Sequence, residues 1–251
     1  AIAIGDNLLS KPWVADLMRL NKSFVVKRNV SGPRALLAAT KLLSQYIRDC
    51  VSSTRNPIWI AHREGRAKDG RDLTEPAVIK MLALSRARGE APEAVLSELN
   101  IAPLVISYEV DPCDALKAAE LAAGGEYVKA EFEDVSSIAR GITGEKGCVH
   151  LHFGEPLPAN LSVGGVVAAV DQQMAEHYRL YQTNRWAWEW LHSERVPGAI
   201  VFHEGSMTEQ SFRARLDSVP DEHRRWLLTM YANPVSRRLA LDANAQDSSR
   251  D

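Results

Sequence analysis

Apolar positions in the first two thirds of the chain follow two alternating rhythms. Short β-rich runs occur at Ser23-Phe24-Val25-Val26-Lys27-Arg28, at residues 57–61, at residues 102–110 and at residues 148–153. Each has the length and composition of a strand. Between them, apolar residues recur at helical spacing. Leu36, Leu43, Ile47 and Cys50 lie on one such face, with Ser31 placed to cap it. Thr74 is the predicted cap of a helix reaching Leu84, with Glu75 and Pro76 in its first turn. Residues 91–99, 112–123 and 132–142 read as further helices, the second stopped by Gly124-Gly125. Pro103 stands at the start of its strand, where a missing N–H is tolerated.

Strands alternating with helices predict an α/β fold, a central mixed sheet flanked by helices. From Val163 onward the pattern is mainly helical, and after Leu241 it is polar. The expected organisation is an α/β domain over residues 1–160, a helical extension over 161–241 packed on it, and a disordered tail over 242–251. No internal repeat or clear linker divides the chain.

The chain of 251 residues is 45% hydrophobic and 25% charged, enough to bury a substantial core. A net charge of −2 argues against a polycation, and no nucleic-acid partner is expected. The charge is unevenly spread: residues 19–72 hold twelve Lys/Arg against four acids. That local positive field favours an anionic ligand or an anionic membrane surface, unless Arg34, Lys41, Arg48 and Arg55 form a solvated helix face. Cys50, Cys113 and Cys148 are too far apart for a metal motif or a disulfide framework, which fits a reducing cytosol. No run reaches the length of a membrane span. The most apolar stretch, residues 161–170, contains two glycines and ends at Asp171. Any membrane contact is therefore expected to be peripheral.

The densest chemistry follows the second strand, in Ile58-Trp59-Ile60-Ala61-His62-Arg63-Glu64-Gly65-Arg66-Ala67-Lys68-Asp69-Gly70. The end of a strand in an α/β sheet is the usual place for a ligand. Lys27 and Arg28 end one strand, and Arg63 and Arg66 follow another. An arginine can grip a phosphate through two parallel hydrogen bonds. Gly65 permits a sharp turn or close backbone approach, and Glu64 can accept from a substrate hydroxyl or orient the arginines. The bland alternative is a charged turn with an internal ion pair of little energetic weight.

His62 invites reading as a general base, but no carboxylate at close spacing orients it, so a packing or hydrogen-bonding role is expected. His150 and His152 alternate on a strand and share a face, but no third metal ligand is evident, and no metal is expected. Trp186, Trp188 and Trp190 could meet a lipid interface, although the helical spacing of Trp186 and Trp190 favours a core contact. The chain contains no GxGxxG, Walker A or GxSxG sequence.

Three segments, in order, resemble blocks of the glycerol-3-phosphate and lysophospholipid acyltransferases. Asn21-Lys22-Ser23-Phe24-Val25-Val26-Lys27-Arg28 is similar to the second block, a G-x-x-F-[IV]-x-R segment. Glu64-Gly65-Arg66 is similar to the third, F-P-E-G-T-R-S. Ile101-Ala102-Pro103-Leu104-Val105-Ile106 is similar to the fourth, an apolar strand led by proline. The resemblance covers residues 1–157, and residues 61–70 resemble a bacterial subgroup of glycerol acyltransferases.

The resemblance implies transfer of a fatty acyl group from an acyl thioester, acyl-CoA or acyl carrier protein, to a hydroxyl of a glycerol phosphate or lysophospholipid. No further cofactor is implied. Arg28 and Arg66 would hold the phosphate, with Lys27, Arg63 and Gly65 beside them. Glu64 would orient the acceptor or the arginines, and Pro103 would shape the pocket or acyl channel. The implied location is cytoplasmic, peripheral on the inner face of the membrane.

Two departures matter. His62-Arg63 replaces the family's Phe-Pro, and the Thr between Gly and Arg is absent, so Arg63 could share the role of Arg66. The catalytic H-x-x-x-x-D block is also missing: none of His62, His150, His152, His177, His192, His203 or His223 has Asp five positions later. The expectation is a sequence that begins after the catalytic block and is inactive as given. The competing expectations are a phosphate- or lipid-binding domain that has lost its dyad, and an unrelated α/β enzyme using His62 and Glu64 as acid and base.

Overall fold

The computed structural model describes residues 1–9, 12–27, 30–63, 67–127 and 133–248. The fold is mixed helix and sheet, with the strands in two separate two-stranded sheets. The chain forms two compact units from interleaved segments rather than from two consecutive halves. Unit 1 comprises Ala1–Gly65, Leu73–Ala102 and Glu155–Asp171. Unit 2 comprises Arg66–Asp72, Pro103–Gly154 and Gln172–Asp251.

Unit 1 starts with strand β1 (Ile2–Gly5), followed by α1 (Pro12–Leu20) and β2 (Ser23–Val26). β1 and β2 pair in parallel, with Ile2 opposite Ser23 and Gly5 opposite Val26, and α1 supplies the crossover that parallel strands require. The other edge of β1 receives Trp59. Its N–H donates to Ala1 O at 2.8 Å, and its carbonyl accepts from Ala3 N–H at 2.9 Å, a parallel bridge. The expected strand at residues 57–61 is thus reduced to this single bridge.

Helix α2 (Pro33–Ser52) begins one residue later than the Ser31 cap predicts. Gly32 is the N-cap, at φ 86°, because Pro33 fixes the first helical position. Helix α3 (Pro76–Leu82) differs similarly: Glu75 is its N-cap and Pro76 its first residue, while the Thr74 hydroxyl is engaged elsewhere. Buried Ser44 ties α2 to the end of α3. Its hydroxyl donates to Leu82 O and accepts from Ser85 N–H, both at 2.9 Å. Arg48 on α2 reaches Glu90 and Glu98, the latter on α4 (Pro92–Glu98).

In unit 2, β3 (Leu104–Tyr108) and β4 (Val149–Phe153) form an antiparallel pair, with Leu104 opposite Phe153. One face carries Val105, Ser107 and Glu109 into the interior. Its opposite face leaves Val149, Leu151 and Phe153 exposed. Helices α5 (Asp114–Ala123) and α6 (Glu133–Thr143) lie between the strands in sequence, and α7 (Val163–His177) runs from unit 1 into unit 2. The core of unit 2 is built by α8 (Gln182–His192), α9 (Glu209–Asp217) and α10 (Asp221–Ser248). Phe212 is wholly buried among Trp186, Trp190 and Tyr231, so the tryptophans are core residues, as their spacing predicts. α10 continues through Ser248, into the stretch that reads as a polar tail.

Asp114 shows how a charge is tolerated in that core. Arg215 bonds it through Nε at 2.6 Å and Nη2 at 2.8 Å, and the Tyr231 hydroxyl donates to it at 2.8 Å. Buried charges persist when paired and hydrogen-bonded in this way.

Candidate functional site

The sheet of unit 1 fixes where its basic residues emerge. β2 and the Trp59 segment flank β1, and both run parallel to it. Their carboxyl ends therefore leave the same edge, about 10 Å apart at two strand spacings. Lys27 follows β2 there and is exposed; Ala61, His62 and Arg63 follow Trp59, with His62 and Arg63 half-buried. An ammonium and a guanidinium at one sheet edge suit an anion, and Arg63 supplies the planar fork that matches phosphate oxygens.

Arg28, Glu64, Gly65 and Arg66 lie outside the described residues. Pro103 lies in unit 2, where it is buried at the open end of the β3–β4 pair. Its carbonyl accepts from Gly154 N–H at 2.8 Å, just before β3 begins. Of the predicted residues, the structure thus brings Lys27 and Arg63 to one edge and has Pro103 extend the β3–β4 pairing by one bond.

His62 does have a carboxylate to orient it. Its Nδ1 lies 3.1 Å from Thr74 Oγ1, and Thr74 Oγ1 donates to Asp171 Oδ1 at 2.6 Å. Thr74 N–H donates to the same oxygen at 2.8 Å. The threonine has one hydroxyl proton, committed to the carboxylate, so its oxygen can only accept from His62. The ring nitrogen Nδ1 therefore carries a proton and donates. The carbonyl of His62 accepts from Glu75 N–H at 2.9 Å. Residues 62 and 74–75 thus form the closed neck of the basic loop.

No family model, curated protein or solved structure matches this chain.

Asp171 had no local signal in the sequence. It stands there only as the charge that ends an apolar run, and 97 residues separate it from Thr74. Thr74 carries a cap signature, which hid its use as a bridge.

Unit 2 contains a second concentration of polar groups. Glu109, just past β3, is 1% exposed. Its carboxylate accepts from Cys148 N–H, Ser206 N–H, the Ser206 hydroxyl and Met207 N–H at 2.6–3.0 Å. Burial pushes its pKa up, but these donors more than offset that, so it lies below the usual carboxylate range. The group thus ties the end of the β3–β4 pair to Ser206 and Met207. His152 stacks on His177 at 4.0 Å between ring centroids and lies 6.5 Å from His150. Burial, then Arg179, His152 and His203, lower the pKa of His150. Among the described residues no three His, Cys, Asp or Glu side chains are grouped to hold a metal. Among them, too, no helix is long and apolar enough to cross a membrane.

Proposed function

We propose that this chain is a phospholipid-pathway acyltransferase. The reaction moves a fatty acyl group from a thioester of coenzyme A or acyl carrier protein to a hydroxyl of a glycerol phosphate or lysophospholipid. One observation carries the reading: β2 and the Trp59 segment flank β1 in parallel, so Lys27 and Arg63 leave one sheet edge. The ordered resemblance of residues 21–28, 64–66 and 101–106 supplies the reaction class.

In this reading Lys27, Arg28, Arg63 and Arg66 hold the acceptor phosphate. Glu64 orients the acceptor hydroxyl or the arginines, Gly65 lets the backbone approach, and Pro103 shapes the acyl channel. The acceptor oxygen attacks the thioester carbonyl carbon, a C–O bond forms and the C–S bond breaks. The hydroxyl proton passes to a base and then to the departing thiolate. In the family that base is the histidine of H-x-x-x-x-D, which is not in this sequence. Turnover by these residues alone is expected to fall by a factor of about 10² to 10⁴, the usual effect of losing a positioned base. The reading further assigns the chain an acyltransferase-like sheet flanked by helices and a peripheral place at the cytosolic membrane surface.

The second reading, a phosphate- or lipid-binding domain without catalysis, is favoured by the same missing dyad. A non-reactive thioether analogue of acyl-CoA separates the two. The acyltransferase reading expects the 251-residue chain to bind this analogue as well as glycerol 3-phosphate. Binding of the phosphate ligand alone would favour the binding domain, and binding of neither would contradict both.

A further inference from the structure

The hydrogen bonds at the neck of the basic loop run in one direction. Asp171 accepts from the Thr74 hydroxyl, and Thr74 accepts from His62. The backbone of Thr74 is tied to the same carboxylate, and the carbonyl of His62 is tied to Glu75 N–H. Thr74 is 5% exposed, so these bonds are largely shielded from competing water. Both ends of the loop are therefore fixed by one buried hydroxyl, and Arg63 follows directly from His62.

We infer that Thr74, held by Asp171, is the positioning residue of the anion site: through His62 it sets where the backbone carrying Arg63 leaves the sheet edge. This rests on the phosphate-binding reading above. A guanidinium fork binds phosphate well only within a narrow range of position and angle, so a loop free to shift at its neck binds more weakly. The bridge needs one group that both donates and accepts. A hydroxyl does this, and an isosteric apolar side chain cannot.

The test is titration of the full 251-residue chain with glycerol 3-phosphate, followed by NMR, in the wild type and in Thr74→Val, Thr74→Ser and Asp171→Asn. Thr74→Val is expected to weaken binding by about five- to tenfold at a temperature where the variant is fully folded, the usual effect of one lost hydrogen bond. Thr74→Ser keeps the hydroxyl and is expected to restore wild-type affinity. Asp171→Asn is expected to fall between them. Wild-type His62 should show the Nδ1–H tautomer in its ring nitrogen shifts. Unchanged affinity in Thr74→Val, or an Nε2–H tautomer in the wild type, would overturn the inference while leaving the phosphate site standing. No binding by the wild type would overturn the phosphate reading, and the inference with it.

Discussion

The Thr74 hydroxyl donates to Asp171 Oδ1 at 2.6 Å across 97 residues of sequence. The bond joins the residue before the cap of α3 to the middle of α7 within unit 1. Its loss should be felt in stability as well as in the loop. Thr74→Val removes the donor and leaves His62 Nδ1–H without its acceptor. We expect a loss of roughly 1–2 kcal/mol in urea denaturation, with Thr74→Ser close to the wild type. A Thr74→Val variant as stable as the wild type would mean that solvent replaces the bond without cost.

Glu109 should be much less tolerant. Its carboxylate accepts from four donors, three of them backbone N–H groups. Glu109→Gln turns an NH2 group toward N–H groups that need an acceptor. A cost of roughly 2–4 kcal/mol is expected, read from the denaturation midpoint. Because the folded pKa is depressed, the carboxylate contributes its stability above the unfolded value, near about 4.3, and loses it as pH falls below that. Glu109→Gln should therefore flatten the acid limb of the stability curve.

His150 predicts a loss at milder acidity. The pKa of His150 is lowered by burial and by Arg179, His152 and His203, so the unfolded chain binds its proton more readily than the folded one. Stability is then full above the unfolded pKa of about 6.5 and declines as pH falls through it. Thermal unfolding at pH 7.5 and 5.5 should differ by less in His150→Gln than in the wild type. An equal difference in both would remove His150 from the account.

Phe212 anchors the aromatic core, edge-on to Tyr231 at 5.1 Å and stacked with Trp190 at 5.7 Å. It is 0% exposed, so Phe212→Ala leaves a cavity that its neighbours fill only in part. The expected cost is about 3–5 kcal/mol by chemical denaturation.

Element types were largely legible in the sequence because hydrophobic period reports local structure directly. β2, β3, β4 and the helices from α2 to α6 all lie where the rhythm changes. Boundaries set by proline were less legible: Pro33 and Pro76 each hold the first helical position, which moves the cap to the residue just before them. Pairing was not legible. The strand-like run at residues 57–61 meets β1 only at Trp59, and the expected central sheet resolves into two pairs. Of the candidate site, the shared edge of Lys27 and Arg63 follows from parallel strands, which the alternation of strand and helix suggests. The Asp171–Thr74–His62 bridge could not be read, because hydrogen bonds between distant residues leave no periodic mark. It changes the expectation for His62, from an unoriented ring to one whose Nδ1 is held as a donor.

The central claim is that one edge of the unit 1 sheet binds a phosphate ester. Calorimetric titration of the 251-residue chain with glycerol 3-phosphate, with glycerol as the control, tests it most directly. The account predicts saturable binding of the phosphate ester alone, weakened separately by Lys27→Ala and Arg63→Ala in chains that stay folded. Binding that both substitutions leave unchanged, or no binding at millimolar ligand, would contradict it.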